Sequence, residues 1–374
     1  MTIERVGVIG GGQLAWMMAA EAPNLDIELI VQAEIDEPAV SRVKKVVLGK
    51  VDDAKATEDL AQKCDVITFE NEFIDLEALQ QLEQQGINFR PSLDTLAPLL
   101  DKYDQRNYLQ SIGIPVPKFS LYKSKEQIES NYVPIVLKAR RHGYDGQGTF
   151  IIKNDRDLES LAKNVPVAEL LVEEFIPFER ELGIIAARNA SGEIAVYPVT
   201  ETYQKNQVCH WTITPANVNE EVAKSVNAIA RKILDSLKVV GVFGIEFFLT
   251  KDDRVLVNEI APRTHNSGHY TLDSCETSQF AMQLQAVTEM PLGSTALKSA
   301  GAVMVNLLGF EESDSDYLKK RDRILAIPNS FVHWYGKTSH PGRKLGHVTV
   351  VLNDKQLSQA KSAIEQIESI WYEN

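Results

Sequence analysis

Lys138-Ala139-Arg140-Arg141-His142-Gly143-Tyr144-Asp145-Gly146-Gln147-Gly148-Thr149 places a cationic strand end directly before a loop with three glycines. Such a chain can bend its backbone N–H groups around a polyphosphate. The apolar run Val133 to Leu137 before it and Thr149 to Ile152 after it both read as strands, so the loop is expected to be a hairpin tip folded over a nucleotide. A Walker A loop is excluded, because the lysine precedes the glycines and β-type residues, not a helix start, follow them. The plain alternative is a glycine-rich hairpin with a solvated basic flank.

Around this segment the composition is that of a folded protein. A chain of 374 residues exceeds one core and suggests two or three domains. Hydrophobic residues at 44% and charged residues at 24% match an ordinary globular chain without low-complexity tracts. A formal charge of −13 argues against a nucleic-acid or anionic-membrane binder, so any phosphate site must be locally basic. Cys64, Cys209 and Cys275 lack metal or redox spacing and read as reduced thiols, which implies a cytoplasmic protein. The N-terminus shows neither a long apolar stretch nor a cleavage site, and no membrane insertion or secretion is expected.

At the N-terminus, Ile3 to Ile9 reads as a buried strand, and Gly10-Gly11-Gly12-Gln13-Leu14-Ala15 turns it into a helix. This fits the G-x-G-x-x-A dinucleotide pattern. A second strand, Ile27 to Val31, ends near Glu34, where a nicotinamide enzyme keeps its ribose-binding acid. A glycine turn of this kind also serves folds that bind no dinucleotide. Val66 to Phe69 is a further strand ending in Glu70-Asn71-Glu72, with an amphipathic helix from about Asp75 to Leu82. Polar residues at strand carboxyl ends face the ligand crevice of open α/β sheets, although Glu72 reads better as part of a helix-capping cluster.

In the middle region a helix from about Lys102 to Gln110 stops at Ile112-Gly113-Ile114-Pro115-Val116-Pro117, where a new unit begins. Leu170 to Ile176, followed by Glu179-Arg180-Glu181, is an apolar strand interrupted by acids, against which a purine ring fits while a carboxylate takes the ribose hydroxyls. Gly241 to Leu249, the turn Lys251-Asp252-Asp253-Arg254 and Val255 to Ile260 form a hairpin. Its acids Glu246 and Glu259 leave on one face by period-two alternation. Two acids in an apolar setting repel unless a cation joins them, and hard oxygen ligands suit nucleotide-bound Mg²⁺. Strand acids satisfied by a lysine are the structural alternative. Arg263-Thr264-His265-Asn266-Ser267-Gly268-His269 then sets a guanidinium, two imidazoles and an amide beside the metal carboxylate.

These residues together resemble the ATP-grasp enzymes, and within them the N5-carboxyaminoimidazole ribonucleotide synthetase family of purine biosynthesis. The resemblance runs from end to end. It rests on Gly10-Gly11-Gly12-Gln13-Leu14, the Lys138 to Gly148 loop, Asn258-Glu259-Ile260-Ala261-Pro262-Arg263-Thr264-His265-Asn266-Ser267-Gly268-His269, and Pro341-Gly342-Arg343-Lys344-Leu345-Gly346-His347. It implies a Rossmann-like N-terminal domain with a parallel sheet (1–97), an ATP-grasp domain (98–295, lid lobe about 115–180) and a small β-rich C-terminal domain (296–374).

By the same resemblance, ATP lies between two lobes, with Lys102 and Lys138 near the phosphates and Gly143, Tyr144, Asp145, Gly146, Gln147, Gly148 and Thr149 covering them. Glu173, Glu174, Phe175 and Ile176 hold adenine, Glu181 the ribose, and Gln204, Asn258 and Glu259 further nucleotide groups. Glu246 and Glu259 carry Mg²⁺, with Mn²⁺ as a substitute. Tyr144, Asp145, Arg263, His265, Asn266, Lys337 and Lys344 are the implied catalytic residues. Gln13, Glu70, Lys337, Arg343 and Lys344 are the implied positions for 5-aminoimidazole ribonucleotide, the first helix's N-terminus completing its phosphate site. The family mechanism has bicarbonate attack the γ-phosphate to give carboxyphosphate, and a homodimer is implied. Two departures stand out: Gln147 where many members have a basic residue, and Ala261 where many ATP-grasp enzymes have asparagine. The competing readings are a formate-dependent glycinamide ribonucleotide transformylase, an NAD-dependent dehydrogenase resting on Gly10 to Ala15 and Glu34, and a nucleotide sensor without catalysis.

Overall fold

The structure, a computed structural model, describes residues 3–123, 134–141, 143, 148–154, 156–157, 169–354 and 357–373. Strands β1 (Arg5–Ile9), β2 (Glu28–Ala33), β3 (Lys45–Leu48) and β4 (Val66–Phe69) form a parallel sheet of order β3-β2-β1-β4. Beyond the exposed Arg5, β1 and β4 are buried on both faces because helices cover both sides, as parallel sheets require. Helix Gln13–Glu21 leaves the carboxyl end of β1 and buries Leu14, Met17 and Met18 against Phe280 and Leu284 of helix Gln279–Val287. That second helix also binds the N-terminal unit through Gln283, whose Nε2 donates to Thr68 Oγ1 at 2.7 Å.

The smaller of two further sheets has the order β5-β8-β6-β7, from β5 (Phe119–Leu121), β6 (Ile135–Ala139), β7 (Thr149–Ile152) and β8 (Leu170–Glu174). The expected hairpin is present: β6 pairs antiparallel with β7 from Ile135↔Ile152 to Lys138↔Thr149. The first strand begins later than the apolar run suggests, after Pro134, which has no N–H for a ladder. It extends through Lys138, so Val136, Lys138 and Arg140 share one face.

Among the described residues the larger sheet has nine strands. β9 (Phe178–Arg188), β11 (Thr200–Lys205), β12 (Val208–Thr214), β13 (Gly241–Thr250), β14 (Val255–Ala261), β15 (Gly301–Leu308), β16 (Ser330–Trp334) and β17 (Lys344–Leu352) follow the order β14-β13-β9-β11-β12-β15-β17-β16, with β10 (Ile194–Val196) added on β9. The strands on either side of residue 296 thus belong to one sheet, joined where β12 meets β15. One face of its central half buries helix Glu220–Ser236 through Val226, Ile229 and Ile233 against Phe243, Ile245 and Phe247. Its far end is covered by helix Leu357–Trp371. The opposite face of β9, β11, β13 and β14 looks toward the smaller sheet, and the space between them is the cavity.

Candidate active site

A cavity of about 1160 Å³ runs from the two facing sheets to the carboxyl ends of β1 and β4 and to the C-terminal strands. Lys102, Lys138, Glu173, Glu174, Phe175, Ile176, Glu181, Gln204, Glu246, Asn258, Glu259, Arg263, His265, Asn266, Gln13, Glu70, Lys337 and Lys344 all line it, with Gly143 and Thr149 at its rim. The expectations for Tyr144, Asp145, Gly146 and Gln147 fall outside the described residues.

At the sheet end the charges come in pairs, buried around Glu173 and open to the cavity at Glu259, whose side chain is 41% exposed. Val136 stands opposite Glu173 in the β6–β8 register, so Lys138, two residues on, shares its face. Its Nζ lies 2.8 Å from Glu173 Oε2 and donates to Asn258 Oδ1 at 2.9 Å. Arg106, in helix Lys102–Ser111, reaches the other Glu173 oxygen at 2.6 Å. Burial alone pushes the Glu173 carboxyl up, but Arg106 and Lys138 outweigh it and hold it at about 2. Burial likewise pushes Glu259 upward, yet Lys102, whose Nζ is 2.5 Å away, keeps it below its ordinary value.

Glu246 stands directly across from Glu259 in the β13–β14 pair. Burial, then Glu259 and Glu181, push its carboxyl up to about 8. Glu181 rises to about 7, mainly through burial. Two facing carboxylates, Glu246 and Glu259, of which the first is destabilised by burial and by the second, fit a divalent cation. Among the described residues no group of three His, Cys, Asp or Glu side chains makes a protein-only metal site. The donor set therefore suits an ion that takes two carboxylates and completes its shell with phosphate oxygens.

Asn258 lines the cavity beside Glu259, which strict alternation forbids. The ladder shows how: Glu246 pairs with Glu259 and Phe247 with Val257, so Asn258 is the extra residue of a β-bulge. Phe248 follows Glu246 by two and faces the cavity, its ring stacked on Phe178 at 4.8 Å. With Val136, Ile151 and Ile176 these rings make an apolar wall. Alternation from Glu246 signals Phe248 in the sequence; nothing local signals Phe178 or the buried Arg106.

The other end draws on distant parts of the chain. Arg263 Nε lies 3.0 Å from Glu72 Oε1. This corrects the helix-capping reading of Glu72, since the cap is Asp75, which accepts from Ala78 N–H at 3.1 Å. Burial works against the Arg263 charge, yet Glu72 and Glu70 keep its pKa above the ordinary value. Lys337 Nζ donates to Gln13 Oε1 at 2.5 Å. His265 rests on Gly244, where any Cβ would stand 2.3 Å from the His265 Cβ. The His265 Nδ1 meets Ser267 Oγ at 2.9 Å, and its Nε2 is 3.6 Å from Glu246.

Two expectations change here. The N-terminus of helix Gln13–Glu21 is taken by Glu70, which accepts from Gly12 N–H at 2.5 Å and Leu14 N–H at 3.0 Å. An internal carboxylate therefore satisfies the amides that the sequence reading assigned to a phosphate. The same contact removes the dinucleotide reading, because a pyrophosphate needs those amides, and Glu34 lies outside the cavity lining. Arg343 is also outside the lining; its guanidinium donates to the Thr338 carbonyl at 3.1 Å.

Two facing sheets closing over paired acids and a buried lysine define an ATP-grasp enzyme, and the ATP-grasp domain matches residues 107–280. The ribonucleotide synthetase preATP-grasp domain matches 3–98, and the phosphoribosylaminoimidazole carboxylase C-terminal domain matches 302–361. The chain is 53% identical to the N5-carboxyaminoimidazole ribonucleotide synthase of Synechocystis sp., over 98% of both chains. It is 40% identical to the crystal structure of N5-carboxyaminoimidazole ribonucleotide synthetase from Thermotoga maritima, covering 98% of each chain with a TM-score of 0.87. The Aspergillus clavatus synthase in complex with ADP and 5-aminoimidazole ribonucleotide superposes with a TM-score of 0.91 at 30% identity, covering 99% of this chain and 98% of that one. The chain belongs to the N5-carboxyaminoimidazole ribonucleotide synthase family.

Proposed function

We propose that this protein uses ATP and bicarbonate to carboxylate 5-aminoimidazole ribonucleotide on its exocyclic amine, releasing ADP and phosphate. The observation that carries this reading is one continuous cavity with a paired-charge end between the sheets and a second end that brings Arg263, Lys337 and Lys344 together. In the first step a bicarbonate oxygen bonds to the γ-phosphorus while the bond to the ADP oxygen breaks, giving carboxyphosphate. In the second the amine nitrogen bonds to the carboxyl carbon, phosphate leaves, and the amine proton is lost.

Lys102 and Lys138 neutralise charge on the transferring phosphoryl group, and the carboxylates of Glu246 and Glu259 would hold Mg²⁺. That ion would supply charge neutralisation at the phosphates. The Phe178–Phe248 wall and the Glu173 to Ile176 segment take the adenine, and Glu181 the ribose. Arg263, His265, Asn266, Lys337 and Lys344 orient the bicarbonate and the ribonucleotide. Closure of the two sheets over the cavity keeps water from carboxyphosphate. A homodimer in the cytoplasm is the setting that the family resemblance implies. Among the described residues no helix is long and apolar enough to cross a membrane.

Phosphate release from ATP with bicarbonate, or separately with formate, in the presence and absence of 5-aminoimidazole ribonucleotide, tests the reading. The expected result is release that needs bicarbonate and rises with the ribonucleotide. Release with formate in place of bicarbonate would transfer the chain to the formyl-transferring branch.

A further inference from the structure

We propose that Asn306 is a positioning residue of the ribonucleotide end of the cavity, and that it determines which way round the Asn266 amide is presented to the ligand. The inference rests on the carboxylase reading above, in which Asn266 faces the ribonucleotide.

Strand β15 reads Gly-Ala-Val-Met-Val-Asn-Leu-Leu and is buried throughout. Val303, Val305 and Leu307 enter the core under helix Leu357–Trp371. Ala302 and Met304 enter the core on the opposite face, which includes Tyr270. Asn306 continues that second face and is 2% exposed. An amide at such a depth is unfavourable unless its groups are bonded, so its partners explain its presence.

The partners are a main-chain carbonyl and the side-chain amide of Asn266. The Asn306 Nδ2 donates to the Cys209 backbone carbonyl at 2.9 Å and to Asn266 Oδ1 at 2.8 Å. Its Oδ1 accepts from Asn266 Nδ2 at 3.0 Å. A main-chain carbonyl can only accept, so Cys209 dictates which end of the Asn306 amide is nitrogen. The reciprocal pair then dictates the same for Asn266. Turned over, Asn266 would set N–H against N–H and oxygen against oxygen.

Asn266 spends one N–H and one carbonyl lone pair on this pair. Its other N–H and lone pair are not used by Asn306, and Asn266 is among the residues that line the cavity. A donor and an acceptor are thereby held in fixed order before the ligand arrives. The main chain beside it is held from the other side: Gln279 accepts from His265 N–H at 2.9 Å and donates to the His265 carbonyl at 2.8 Å. With the backbone clamped by Gln279, the side-chain orientation of Asn266 is the degree of freedom left for Asn306 to set.

Two variants of the full-length enzyme test this, Asn306→Ala and Asn306→Asp, each also combined with Asn266→Ala. The measurements are the KM for 5-aminoimidazole ribonucleotide, kcat, ADP affinity by titration, and thermal stability. Asn306→Ala is expected to raise that KM about tenfold while ADP affinity stays within about twofold. Asn306→Asp keeps the shape but sets acceptors against Cys209 and Asn266, so its loss should be the larger. In the Asn266→Ala background the Asn306→Ala change should add less than about twofold, because it acts through the missing amide.

A full effect of Asn306→Ala in the Asn266→Ala background overturns the proposal, as does an unchanged KM. Loss of ADP affinity or of soluble protein in parallel with the ribonucleotide effect shows a general structural role and overturns it too. A wild type whose ATP turnover ignores the ribonucleotide overturns the carboxylase reading, and this inference with it.

Discussion

The two ends of the cavity are built from differently distributed parts of the chain. At the nucleotide end, cations and carboxylates already neutralise one another: Lys138 and Arg106 on Glu173, Lys102 on Glu259. The side chains come from adjacent strands and one helix, between residues 102 and 259. At the end proposed for the ribonucleotide, Gln13, Glu70, Glu72, Arg263 and Lys337 arrive from the N-terminal sheet, the central loop and the C-terminal segment. At Glu173 the first end therefore carries stability as well as chemistry, since each buried charge there depends on its partner. The second is expected to carry chemistry with less stability at stake, because its groups meet at the junction of separately supported elements.

The strongest break of this contrast is at Glu173. Glu173→Gln leaves Arg106 and Lys138 without their buried counter-charge and should cost about 3–5 kcal/mol of stability, read by urea unfolding at neutral pH. The sign with pH follows from the direction of the shift. Glu173 is held at about 2 when folded, against about 4.3 unfolded. Its contribution is complete above the unfolded value and is lost as pH falls from there toward about 2. The stability gap between wild type and Glu173→Gln should narrow on acidification through that window. A gap that stays constant to pH 3 would show that the pair is not the source.

Next in size is Glu259→Gln, which should lower ATP turnover at least about a hundredfold, roughly 2.7 kcal/mol in the barrier, while the protein stays folded. Wild-type turnover at saturating Mg²⁺ would remove Glu259 from the metal site. At the other end Lys337→Ala should raise the KM for 5-aminoimidazole ribonucleotide about tenfold, since a charge-assisted bond contributes about 1.5–3 kcal/mol. ADP affinity, titrated without the second substrate, should be unmoved. Equal losses of both would merge the two ends into one site.

The smallest effect is expected at Arg343. Its guanidinium is bonded to Thr338 outside the cavity lining, so Arg343→Ala should change the same KM by less than about threefold. A tenfold rise would mean that the side chain swings onto the ribonucleotide when it binds, and that the C-terminal turn belongs to the second end.

Much of the nucleotide end can be read from local pattern. Period-two alternation places Glu246 and Glu259 on one face, and the glycine-rich hairpin after Lys138 follows from two short apolar runs around it. The Asn258-to-His269 block carries the family resemblance by itself. These features depend on residues a few positions apart, where backbone geometry determines which side chains share a face. What local pattern misses is register and partnership. Asn258 joins Glu259 on the cavity wall only because β14 bulges against β13, which depends on the partner strand. Glu72 is an unremarkable acid until Arg263 arrives beside it.

The sequence by itself therefore determined the class of fold and the family, and which acids and lysines share the cavity wall. Tertiary structure alone decided that Glu70 closes the first helix's N-terminus from 58 residues away, removing a phosphate site that the glycine turn advertises. It alone decided that Asn306 meets Asn266 across 40 residues. The physical reason is the same in both cases. A hydrogen bond between distant residues is specified by how sheets and helices pack, and one strand's pattern records only which of its faces is buried, not what will lie against it.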